Sequence, residues 1–189
     1  MGIIYQEKGD YEAALEQYQK ALAIAEKIGD IKGMAASLHQ VGMIYQLKCD
    51  YEAALGQYQK SLEILEKIGD IKGKAESLHQ VGNIYYLKGD YDAALEQYRK
   101  SLEIAEQIGD VPGKAISLGQ MGKLYIERED YPTALSLCLQ SLAIFQKLGS
   151  PNAKLVAENI ALIREKMGEA GFQGLLASTI AGMGEEKRD

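Results

Sequence analysis

The chain has 189 residues, 47% of them hydrophobic and 25% charged, with 20 Gly and only 3 Pro, the make-up of an ordinary globular protein. Against 27 Asp and Glu stand 21 Lys and Arg, and the formal net charge of -6 argues against nucleic acid or an anionic membrane surface as the main partner. No stretch approaches the roughly 20 consecutive apolar residues of a membrane span. The opening MGIIYQEKGDYE lacks the basic and apolar regions of a signal peptide, so a cytoplasmic location without membrane attachment is expected. Gln6 stands where the myristoylation motif begun by Met1-Gly2 requires Ser or Thr.

Along the chain, one segment returns at a shift of 40 residues. GDYEAALEQYQKALAIAEKIGDIKG from Gly9 recurs as CDYEAALGQYQKSLEILEKIGDIKG from Cys49 and as GDYDAALEQYRKSLEIAEQIGDVPG from Gly89. A looser copy begins at Glu129. Such self-similarity predicts a modular array, with units near 1–29, 30–69, 70–109 and 110–149. The first unit is short: its opening helix has about six residues before Lys8-Gly9 where the next has about seventeen. This suggests either a piece of a longer array or an apolar face on the helix after Asp10 that another molecule covers.

Within each unit the punctuation predicts two helices. Asp50 and Asp90 sit as N-caps after a Gly-type stop, and Gly69-Asp70 and Gly109-Asp110 end one helix and begin the next. The first helix of a unit carries Leu38, Val41, Gly42 and Tyr45, repeated as Leu78, Val81, Gly82 and Tyr85. In the second, Tyr51, Ala54, Leu55, Tyr58, Ser61, Leu62 and Leu65 make one apolar stripe at spacings of three and four. Beyond Pro151, residues 150–181 read as a degenerate first helix over 152–167 and, after Gly168, a short capping helix through Phe172, Leu175, Leu176 and Ile180. Residues 182–189 read as a disordered tail.

Leu38-x2-Val41-Gly42-x2-Tyr45 followed by Ala54-x3-Tyr58 and Ser61 resembles the tetratricopeptide signature, with Leu for its first Trp and Tyr for its Phe. The pattern recurs at Leu78, Val81, Gly82, Tyr85, Ala94, Tyr98 and Ser101, and at Leu118, Met121, Gly122, Tyr125, Ala134 and Ser141, where Cys138 replaces the aromatic. The first copy keeps Gly2, Tyr5, Ala14, Tyr18 and Ala21. The 40-residue period resembles that of the LGN/Pins polarity adaptors, kinesin light chains and bacterial peptide-receptor regulators. The resemblance implies an all-α, right-handed superhelical solenoid of antiparallel helix pairs that acts as a protein-interaction scaffold.

Chemistry has little to work with. His39 and His79 stand one repeat apart without a Ser/His/Asp set, a carboxylate pair or a phosphate loop, so no enzyme, no cofactor and no metal are expected. Cys49 and Cys138 form no CxxC; Cys49 fills a place held by Gly9 and Gly89. The repeated tyrosines read as core, and Glu12, Glu16, Glu63 and Glu66 as solvated outer faces. On each first helix the side opposite the core holds residues that vary between copies. They are His39, Gln40, Met43 and Gln46 in one copy, Glu76, His79, Gln80, Asn83 and Tyr86 in the next, and Gln120, Lys123 and Ile126 in the third. In related arrays this side lines a concave groove. Gln40, Gln80, Gln120 and, after a one-residue deletion, Asn159 keep an amide that both donates and accepts, which suits an extended peptide backbone. These residues are the expected groove for an extended or helical peptide, with Met43 and Ile126 adding apolar area. The alternative expectation is a structural segment that self-associates as a homo-oligomer through its short first repeat.

Overall fold

Each helix from Tyr11 onward begins on an aspartate cap or a serine. The computed structural model describes residues 2–3 and 9–185, and among them the ordered elements are all helical. They are α1 (Tyr11–Ile28), α2 (Ile31–Leu47), α3 (Tyr51–Ile68), α4 (Ile71–Leu87), α5 (Tyr91–Ile108), α6 (Val111–Glu127), α7 (Tyr131–Lys147) and α8 (Asn152–Glu185). The side chains of Asp10, Asp30, Asp50, Asp70, Asp90, Asp110 and Asp130 each accept from the backbone N–H three residues on, at 2.9–3.2 Å. Ser150 does the same work for α8, its hydroxyl accepting from the Asn152 N–H at 3.3 Å.

The Gly-Asp dipeptides are complete connections. Gly69 adopts φ 70°, the left-handed conformation that closes α3, and the Asp70 N–H returns to the Leu65 carbonyl at 2.9 Å. The Asp70 carboxylate then opens α4, so two residues reverse the chain. At the other type of corner, Cys49 and Glu129 take the left-handed place at φ 60° and 59°, where Gly89 has φ 77°.

The chain divides into two compact units, Met1–Ile104 and Ala105–Asp189. In the first, small residues let helices approach: a Cβ on Gly42 would stand 2.9 Å from the Tyr58 ring and one on Gly82 2.6 Å from the Tyr98 ring. Gly2 keeps this register against Tyr18, also at 2.6 Å; Tyr5 and most of the short first helix lie outside the described residues. The Ser61 and Ser101 hydroxyls, both buried, donate to the carbonyls of Ala35 and Ala75 at 2.9 and 3.0 Å and tie the second helix of each pair to the first. Ala54 and Tyr58 of α3 also pack on Val81 and Ile84 of α4, so each second helix serves two first helices.

In the second unit Gly122 meets the Cys138 sulfur, and the Ser141 hydroxyl donates to Ala115 O at 2.7 Å. Gly168, at φ 73° and ψ 162°, breaks α8 into two helical stretches. Phe172 of the second stretch enters the core with Leu135 and Ile163. Helix continues to Glu185, so residues 182–185 of the expected tail are helical, and 186–189 lie outside the described residues.

Candidate functional site

Two buried rings organise the polar face of the first unit. Tyr58 and Tyr98 are 0% and 1% exposed, and a buried phenol needs a partner for its hydroxyl. Tyr58 donates to Gln46 Oε1 at 3.1 Å. Tyr98 donates to Asn83 Oδ1 at 2.8 Å, and Asn83 Nδ2 donates to Gln80 Oε1 at 2.9 Å. Burial pushes both phenol pKa values up, which keeps the hydroxyls protonated as donors. Gln80 enters this relay only as an acceptor, so its amide hydrogens take no part in it.

The third copy has Cys138 in place of the tyrosine and has no hydroxyl to satisfy. The residue matching Gln46 is Ile126, which is 5% exposed in a core cluster with Ala134, Leu135, Ile163 and Phe172. The expectation that Ile126 lends apolar area to a groove is therefore overturned. In this copy Ile163 and Phe172 of α8 pack against the position.

The histidines are structural in their contacts. His39 Nδ1 lies 3.0 Å from Ser77 Oγ, bridging α2 and α4, and its ring sits edge-on to Tyr58 at 5.2 Å. Ser77 is fully buried. His79 lies 5.4 Å from the Tyr98 ring. Burial lowers the pKa of both, that of His79 to about 4, and leaves them neutral at neutral pH. The Cys138 thiol is pushed up to about 12 by burial and is inert. Among the described residues no group of three His, Cys, Asp or Glu side chains is placed to hold a metal, and no helix is long and apolar enough to cross a membrane.

His39, Gln40 and Glu76 share one cavity of about 230 Å³ in the first unit, together with Asp70 and Ser77. Gln120, Lys123 and Asn159 share another of about 360 Å³ in the second, with Ile116 and Glu158. Glu76 and Lys123 are exposed, whereas Gln40, Gln80, Gln120 and Asn159 are half-buried. Met43 leans on the Tyr58 core cluster, Gln46 is held by Tyr58, and the Tyr86 ring lies 5.8 Å from that of Tyr91. Sequence reasoning missed Ser77 as the partner of His39. The signal was present, since Ser37, Ser77 and Ser117 recur at the same period as the histidines.

The acidic outer faces are as expected: Glu12, Glu16 and Glu66 are exposed and pair with Lys48, Lys20 and Lys74. Exposed pairs of this kind contribute little to stability.

The tetratricopeptide repeat profile matches residues 1–67 and 73–147. The chain belongs to the tetratricopeptide repeat family. No curated protein matches the sequence. Among solved structures it is similar to BtubC (BKLC) from P. vanneervenii, at 17% identity and TM-score 0.80, over 98% of this chain and 78% of that one. It is also similar to a Podosopora anserina protein assigned as a kinesin light chain with nearly identical TPR-like repeats, at 20% identity and TM-score 0.71, over 100% and 94%. A signal transduction ATPase with numerous domains from Pyrococcus horikoshii, which carries a tetratricopeptide repeat sensor, matches at 25% identity and TM-score 0.75, over 85% of this chain and 25% of that one. These likenesses agree with the all-α succession of helix pairs described above. The family is one of protein-interaction scaffolds in general, and this chain has the corresponding build.

Proposed function

We propose that the chain is a cytoplasmic protein-interaction module without catalytic activity. Each unit presents the groove side of its first helices to an extended or helical peptide segment: the first unit at His39, Gln40, Met43 and Gln46 of α2 and Glu76, His79, Gln80, Asn83 and Tyr86 of α4, the second at Gln120 and Lys123 of α6 and Asn159 of α8. The observation that carries this reading is the relay from Tyr98 through Asn83 to Gln80. A buried phenol holds two half-buried amides in one orientation, so the ordering cost of binding a peptide backbone there is already met.

A pull-down comparing the wild-type chain with the variant Gln80→Ala, Asn83→Ala, Tyr86→Ala tests it, once circular dichroism has established equal helicity. Partners captured by the wild type alone support the groove; identical captures, or none, overturn it.

One observation favours self-association as a second reading. Ile24 and Ile28 on α1 are 60% and 70% exposed, whereas Ile64 is half-buried and Ile68 38% exposed in the next copy. Sedimentation mass that rises with concentration, and ceases to rise in Ile24→Lys with Ile28→Lys, would favour it.

A further inference from the structure

The two cavities occupy one register of the repeat and differ in kind. In the first unit the space between α2 and α4 is bridged by His39 and Ser77, 3.0 Å apart. The matching residues in the second unit are Gly119 on α6 and, after the one-residue deletion, Val156 on α8. Both partners of the polar contact are gone together, so neither leaves an unsatisfied group behind. A Cβ on Gly119 would meet Val156 Cγ2 at 3.5 Å, which confirms that the two positions still face each other.

Two further exchanges run the same way. Ala36 in the first cavity corresponds to Ile116 in the second, and Glu76 to Leu155. Of the four exchanges, His39 to Gly119 removes a ring, while the other three place Val156, Ile116 and Leu155 in the lining, and the cavity is about 360 Å³ against about 230 Å³. Its floor is buried Phe145 and Val156. Its sides are Ile116 and Leu155, which remain 36% and 60% exposed and would lose water to an occupant. The half-buried amides of Gln120 and Asn159 also line it. The size is at the lower end of sites that enclose small ligands.

We propose that this cavity anchors one bulky apolar side chain, of leucine, methionine or phenylalanine size, carried on a peptide backbone whose N–H and C=O groups are met by Gln120 and Asn159. The inference rests on the peptide-binding reading above and assigns its specificity to the second unit, since the smaller cavity of the first is crossed by the His39–Ser77 contact.

N-acetyl-leucine N-methylamide, titrated into the 189-residue chain and followed by ¹H–¹⁵N correlation spectra, is the direct probe. Saturable shifts are expected at Gly119, Gln120, Val156 and Asn159 in the millimolar range, the affinity that so small a ligand permits. N-acetyl-glycine N-methylamide should bind at least about tenfold more weakly, since it lacks the apolar group. Gly119→His should abolish the shifts; His39 sits beside buried Ser61 in the same register, so this scaffold accommodates the ring. The reciprocal variant, His39→Gly with Ser77→Val, should open the first cavity and add shifts at Gln40 and Gln80.

Wild-type spectra unmoved at Gly119 and Val156, or equal shifts in Gly119→His, overturn the proposal. So does equal binding of 3-methylbutan-1-ol, which has the apolar group without a backbone and would make the cavity a site for small apolar molecules. Shifts that follow protein concentration without any probe overturn it in favour of a second copy. The capture experiment with the Gln80, Asn83 and Tyr86 variant reads α4 and is unaffected by failure here.

Discussion

Single residues in this chain are chosen by what their neighbours in the next helix require. The phenols of Tyr58 and Tyr98 demand acceptors, and the acceptor moves: Gln46 serves where position 43 is Met, and Asn83 serves where position 86 is Tyr. Tyr98→Phe should therefore cost about 1 kcal/mol, since it removes one hydrogen bond and leaves Asn83 Oδ1 without its donor; urea denaturation monitored by circular dichroism measures this. Gly82 stands for the opposite constraint. An Ala there would bring its Cβ to 2.6 Å from the Tyr98 ring, and a loss of about 1–3 kcal/mol is expected from overpacking. Cys49 is a residue whose exchange should help. It holds φ 60° at a place where Gly89 holds 77°, so Cys49→Gly relieves a left-handed non-glycine residue. A gain of up to about 1 kcal/mol at the midpoint of thermal unfolding is the expected outcome, reduced by the greater freedom of Gly in the unfolded chain.

At the scale of elements, the helices are delimited by their own residues and held by those of others. Seven aspartate caps recur at the same place, and each stands beside the residue that ends the preceding helix or corner. Asp70 serves twice, its N–H closing α3 and its carboxylate opening α4. Asp70→Ala should destabilise by about 1 kcal/mol while Asp70→Ser loses much less, because serine caps nearly as well; the pair of melting temperatures separates capping from the exposed 3.7 Å contact with Lys32. The relaxation of α6 and α8 from the repeat pattern is also an element-level event. In the second unit α8 packs Ile126 into the core, and Gly119 and Val156 stand in place of the His–Ser pair beside a larger cavity.

At the scale of the whole molecule, stability answers to pH through two half-buried histidines. His79 has its pKa lowered from 6.5 to about 4 by burial, and His39 is lowered in the same direction. The unfolded chain binds these protons first as the pH falls, so their contribution is complete above about pH 6.5 and is lost as the pH drops toward 4. Unfolding free energy measured by denaturant should decline over that window, and less steeply in His79→Asn. Because repeat proteins are stabilised by nearest-neighbour contacts, a change in one pair is expected to be felt most by the pairs that touch it.

Much of this protein was legible without coordinates. The 40-residue period, the Gly-Asp dipeptides and the three-and-four spacing of Ala, Leu and Tyr determine by themselves an all-α succession of helix pairs, because caps and apolar stripes are written within a few residues of the helix they shape. Gln40, Gln80, Gln120 and Asn159 were recognisable as a recurring amide for the same reason. What only the tertiary structure decided is which side of each first helix stays open. Ile126 follows the groove register in sequence yet lies in the core, whereas Gly119 of the same helix lines a cavity. Burial at these positions is a property of the facing helix, and of a Tyr, Cys, Ser or Val placed there, rather than of the helix's own periodicity.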